Sequence, residues 1–312
     1  MIKLSLCRHG DVLLLTVPPL SDLPELEWAL SSARVSALEF YEILSETEST
    51  VLELPRQVWK RFLKGVFYDY KTKVALKTAQ RAGISFASPT RFQEYYKTFD
   101  LPVEKRLVVE LDGVEYESAK DFPKDPPIYA AIGAFELTQP ALRVTDPNYR
   151  KTSRDGHVLK ALPGRWRAEV MLEDDGPRGY GVARLTVVHE TCTEELDYSR
   201  FDAEPACFAG VDSAQCGFFD DARYPADEAQ FEYDDHTFYG KICDSLLSVY
   251  DLGESKYRAA IAPEGIGAAS ATFYGDGAYA CRVLRNPAGD VVAAYLWYES
   301  KPDPFFSNDD EG

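Results

Sequence analysis

Histidine and methionine are scarce in this 312-residue chain, with four of the first and two of the second, and its six cysteines (Cys7, Cys192, Cys207, Cys216, Cys243, Cys281) form no C-x-x-C pair. Those absences exclude the paired Cys and His spacing of a structural zinc site and the thioredoxin-type redox motif. Irregular cysteine spacing in a chain this long also argues against a disulfide framework, so reduced thiols are expected. Long apolar runs are missing too. The longest early one, Val12 to Val17, is too short to span a bilayer, and Asp11 directly before it leaves no basic segment for a secretory leader. The expectation is a cytoplasmic protein without membrane contact. No G-x-S-x-G elbow, internal repeat or low-complexity tract occurs, which removes the α/β-hydrolase signature and the solenoids. No cofactor is implied.

Basic charge is in deficit: 34 Lys+Arg stand against 51 Asp+Glu, a net of −17. Residues 1–100 hold 13 of the first and 12 of the second, so 21 and 39 fall beyond residue 100 and the acidity belongs there. An acidic surface repels nucleic acid and anionic membrane; it suits a basic protein partner or plain solubility. One stretch runs the other way. From Arg56 to Lys97 there are ten basic residues and two acidic ones, Asp69 and Glu94.

What is present reads as two domains, since the chain exceeds the roughly 100–200 residues of one. "DVLLLTV", ended by Pro18 and Pro19, reads as a buried strand. "LPELEWALSSA" and "LPRQVWKRFLKGVFYDY" read as helices, with Val58, Phe62 and Val66 at helical spacing. In "ALKTAQRAGISFASPTRFQEYYK", Ala79, Gly83 and the Ser88-Pro89 helix start are similar to a helix-turn-helix, although the link is longer than the usual turn. Strands dominate after Leu101. "KRLVVELDGVEYES" folds about an Asp112-Gly113 turn, and the proline-rich "DFPKDPPIYA" follows as a connection. "ALRVTD", "RWRAEVMLED" and "VARLTVVHE" are strands expected to alternate a core face with a wet face. "YACRVLR" and "DVVAAYLWYE" flank a turn at Asn286 to Gly289. The fold class is therefore α+β. A mixed α/β region, 1–100, with its basic helical segment 56–97, precedes a hairpin and Pro-rich connection, 101–139. An acidic, mainly antiparallel, sandwich-like β domain, 140–298, and a fraying acidic tail, 299–312, complete the chain.

Three groups of residues could carry chemistry. Cys216 is a possible nucleophile with His236 as its base and Asp212 or Asp235 as the orienting carboxylate, against the plainer reading of a small buried thiol. Asp212, Asp220, Asp221, Asp234, Asp235 and His236 could offer hard oxygen ligands and one imidazole. They lack the alternating spacing of a calcium loop, so a solvated acidic loop is preferred to a metal site. Lys60, Arg61, Lys64, Lys73, Arg81 and Arg91 could contact phosphates, making nucleic acid a second kind of partner. "GIGAAS" lacks the third glycine and the βαβ setting of a dinucleotide loop, and "YGDGAY" reads as a tight turn.

Taken in order, "LRVTDPNY", "LPGRWRAEV", "VARLTVVHE", "AGVDSAQCGFFD", "YPADEAQFEYDDHTFYGKIC" and "FYGDGAYACRVLRNPAGDVVAAYL" resemble the consecutive blocks of an uncharacterised phage and bacterial family, domain of unknown function 4241, over about residues 140–298. In that family the G-V-D-S block runs on into Gly-Gln, where this chain has Ala214-Gln215. The resemblance implies a phage or bacterial cytoplasmic setting and no particular activity. Within these blocks Asp146, Tyr149, Asp212, Ser213, Gln215 and Asp276 are candidate ligand-binding residues, Asp212 and Ser213 being equally able to tie their own backbone in a turn. The leading expectation is a binding protein whose acidic domain docks a protein partner or small ligand. A nucleic-acid binder and a hydrolase or transferase are the rivals.

Overall fold

Alternating apolar residues build the first sheet. In a computed structural model the described residues are 1–10, 12–19, 24–32, 49–56, 58–154, 156–193, 195–247, 258–298 and 303–305. The expected fray of 299–312 lies almost wholly outside them. The chain divides into two units, Met1–Asp125 with Asp174–Tyr180, and Pro126–Glu173 with Gly181–Gly312.

In the first unit β1 (Ile2–His9) turns Ile2, Leu4 and Leu6 inward, and β2 (Val12–Val17) does the same with Leu13, Leu15 and Val17. With β3 (Thr50–Pro55), β4 (Leu107–Leu111) and β5 (Val114–Tyr116) they form one sheet in the order β3-β2-β1-β4-β5, in which β4 runs parallel to β1. The hairpin read as part of a connection thus belongs to this sheet, because Leu107, Val109 and Leu111 complete its core. Its turn is as the sequence requires: Asp112 and Gly113 both take positive φ, 53° and 82°, the conformation of a two-residue hairpin loop.

Helices α1 (Pro24–Ser32) and α2 (Trp59–Arg81) supply the rest of that core through Leu26, Leu30, Trp59, Phe62, Leu63, Val66 and Tyr70. Full burial of one such side chain stabilises by about 1.5–3 kcal/mol. The second helix starts later than the sequence suggested, since Leu54 and Pro55 close β3. Helix α3 (Pro89–Thr98) begins as expected, with Pro89 in its first turn and Ser88 Oγ accepting from Arg91 N at 3.4 Å. It buries no residue, and its aromatic rings pack on neighbours instead: Tyr96 on Tyr68, and Phe92 and Tyr95 on Phe86, all with centroids 5.3 Å apart.

The second unit holds two sheets. One takes β6 (Ile128–Leu137), β9 (Gly164–Asp174), β10 (Tyr180–His189), β11 (Cys207–Val211), β15 (Gly277–Arg285) and β16 (Val291–Trp297) in the order β11-β15-β16-β10-β9-β6. The other takes β7 (Leu142–Thr145), β8 (His157–Leu159), β12 (Gln215–Asp220), β13 (Ala259–Ile261) and β14 (Gly267–Ala271) in the order β13-β14-β12-β7-β8. Strand β6 lies against β13 and β14, and β11 against β7, giving the expected antiparallel α+β, β-rich fold. The expected wet face is missing from β10, an interior strand. From Val182 on, β10 is buried at every residue, as is β16, because both of their faces are covered. Helix α4 (Phe238–Leu247) was not anticipated. Thr237 Oγ1 accepts from Gly240 N at 3.0 Å at its start, and Phe238, Ile242 and Leu246 recur on its buried side against Phe219 and Tyr224. No helix among the described residues is long and apolar enough to cross a membrane.

Candidate functional site

The turn between β11 and β12 is built around a carboxylate from elsewhere in the sequence. Asp146 follows the last residue of β7, whose partner is β12, and is fully buried. Its Oδ2 accepts from the backbone N–H groups of Asp212 at 2.9 Å and Ser213 at 2.8 Å. Its Oδ1 accepts from Ser213 Oγ at 2.6 Å and from Asn148 N at 2.8 Å. Burial pushes the Asp146 carboxyl up, and these four donors draw it only part of the way back.

Around this centre the six expected residues meet. Tyr149 Oη donates to Asp212 Oδ2 at 2.8 Å, and Ala214 N donates to Asp276 Oδ1 at 3.1 Å. Gln215 Nε2 donates to Cys243 Sγ at 3.3 Å, while its buried Oε1 has no partner among the described residues. The buried Tyr224 hydroxyl fixes the Asp146–Tyr149 loop by donating to Tyr149 O at 2.9 Å. Tyr239 from α4, which sequence reasoning missed, lies beside Ser213 and Cys243, and burial drives its phenol well up. Asp212 and Asp276 stay exposed.

Ala214, between Ser213 and Gln215, has a φ of 57°, the left-handed region. Non-glycine residues pay about 1–2 kcal/mol in that conformation, and part of the gain from removing the side chain is lost to glycine's freer unfolded state. Ala214→Gly is expected to raise stability by about 0.5–1 kcal/mol in urea unfolding.

The nucleophile reading is not assembled. Cys216 is fully buried, its thiol donates to Thr145 O at 3.5 Å, and burial pushes that thiol well up. His236 is exposed in a loop whose backbone is tied by Asp234, and no hydrogen bond joins the two among the described residues. Several of the acidic residues have other tasks. Asp220 accepts from Thr138 N and Oγ1 at 3.0 and 2.6 Å, and Asp221 pairs with Arg143 at 2.7 Å. No group of three His, Cys, Asp or Glu converges on a metal position among the described residues.

The basic residues scatter. Lys60, expected to face a phosphate, is 1% exposed and bonds Asp174 and Pro123 O inside the first unit. Lys73 stacks over Trp28 at 4.6 Å, and Arg91 pairs with Glu94 at 2.9 Å. Arg61 and Arg81 are exposed on α2. Lys64 instead lines a cleft of about 540 Å³ bounded by α2, α3, β4 and the segment Glu117–Lys120. Tyr70, Leu107 and Ala119 form its buried side, and Tyr68 and Tyr96 pair at its edge. Lys64, Lys71, Arg106 and Lys120 face two carboxylates, Asp100 and Glu117, so the lining carries an excess of positive charge. Lys71 Nζ lies 4.8 Å from the Tyr96 ring centroid, and burial pushes the Tyr70 phenol up to about 12.

Comparison with protein-family models, with curated proteins and with solved structures finds no match.

Proposed function

We propose that this chain is a binding protein whose first unit takes a small anionic ligand bearing a planar ring, of the mononucleotide or aryl-phosphate class. The observation that carries this is the 540 Å³ cleft, which joins four cationic side chains to tyrosine rings and an apolar side. Its volume is in the range of small-molecule sites, roughly 300–1,000 Å³. Lys64, Lys71 and Lys120 would hold the anion, Arg106 being paired with Glu117 at 3.5 Å, and Tyr68 and Tyr96 would stack on the ring. With Lys60 buried and Arg91 paired, fewer of the 56–97 cations remain for an extended nucleic acid.

Calorimetric titration of the full chain with AMP and phenyl phosphate, beside adenosine and phenol, tests the reading. Each phosphorylated probe is expected to bind at least about tenfold more tightly than its neutral counterpart, and Lys64→Ala with Lys71→Ala to erase that difference. Equal or absent binding of all four would overturn it.

A second reading is favoured by the exposed Asp212 and Asp276 carboxylates beside Tyr149: a face on the second unit for a basic protein partner. Six free cysteines suit a reducing bacterial or phage-host cytoplasm.

A further inference from the structure

Cys207 and Cys281 are direct register partners across β11 and β15 of the second unit, and all six cysteines are free. Side chains so paired share one face of the sheet with Cβ atoms about 4.5–5.5 Å apart, a small movement from disulfide distance. The neighbouring Cys281 thiol draws the Cys207 thiol below its usual range. Their access differs. Cys207 opens β11, the edge strand of its sheet, and is partly exposed, whereas Cys281 is fully buried. One is reachable by a small oxidant and the other only by its neighbour.

We propose that Cys207 and Cys281 form a reversible disulfide, Cys207 reacting first with a hydroperoxide and Cys281 resolving the product. The Cys207 sulfur takes one oxygen as the O–O bond breaks, and the other oxygen leaves as water or alcohol once protonated. The Cys281 sulfur then displaces hydroxide from the sulfenic acid, its own proton leaving in that water, and the S–S bond forms. Two electrons pass from the sulfurs to the peroxide.

The bond would act on the turn described above. β11 runs into Asp212–Ala214, and β15 emerges from Asp276, whose carboxylate holds Ala214 N. Tying Cys207 to Cys281 fastens the two segments that meet at Ala214.

The test treats the reduced full chain with hydrogen peroxide, then counts thiols after denaturation and maps cross-linked peptides by mass spectrometry. Titratable thiols should fall from six to four, with a Cys207–Cys281 cross-link reversed by dithiothreitol. The link should persist in Cys216→Ala and vanish in Cys207→Ser. Cys281→Ala should accumulate sulfenic acid at Cys207, and Cys281→Ser serves if the alanine variant does not fold. An unlinked wild-type chain, a bond involving Cys216, or a sulfinic acid at Cys207 in place of the link would overturn the proposal.

Discussion

Asp146→Ala is expected to destabilise the second unit by about 3–5 kcal/mol. The carboxylate it removes accepts from Asn148 N, Asp212 N, Ser213 N and Ser213 Oγ. Each buried donor left without an acceptor costs roughly 1–3 kcal/mol, and water reaching the exposed Asp212 recovers part of the sum. Asp146→Asn keeps the shape and one oxygen but turns an amide NH2 toward donors, so about 2–3 kcal/mol is expected. Urea unfolding of both variants ranks them. Because the loss comes from the turn, amide exchange at Asp212 and Ser213 should accelerate more than exchange in β16. Equal stability of the wild-type and alanine proteins would show that the carboxylate does not hold this turn.

Lys60→Met is expected to cost the first unit about 3–5 kcal/mol, the range for breaking a buried ion pair from one side. The methionine keeps the apolar stem but removes the charge facing Asp174, and both side chains are 1% exposed. Asp174 would retain the backbone donors Asp125 N at 2.6 Å and Gly176 N at 2.7 Å, with no cation to balance it. Asp174→Asn removes the other charge and keeps one acceptor oxygen, enough for one of those two N–H groups. In the double variant neither charge remains, so its cost should fall below the sum of the two single costs by about 1–3 kcal/mol in a denaturation cycle. Additive costs would mean that the pair does not act as a unit.

Local chemistry explains which elements could be read from residues alone. Asp112-Gly113 demanded a two-residue hairpin, Ser88-Pro89 demanded a helix start, and Val12–Val17 could only be a strand; each answer depends on neighbours a few positions away. Val182–His189 misled because a strand covered on both faces loses the alternation that signals an exposed one. Helix α4 carried its own signal, Thr237 followed by Phe238, Ile242 and Leu246, inside a stretch whose Asp, Glu and Tyr residues suggested a loop. Lys60 was assigned to a basic surface because the partner that buries it lies 114 positions further on. The meeting of Asp146 with Ser213, 67 positions apart, was approached only through resemblance between blocks. The cleft was invisible to sequence reading, since helix, strand and turn contribute Tyr68, Leu107 and Lys120 from separate stretches.

The binding reading is tested most directly by nuclear magnetic resonance titration of the isotope-labelled full chain with AMP. The account predicts saturable shifts concentrated at Tyr68, Lys71, Tyr96 and Lys120, with Tyr149, Asp212 and Asp276 unmoved. Shifts confined to those last three residues, or no saturable shift at millimolar AMP, would contradict it.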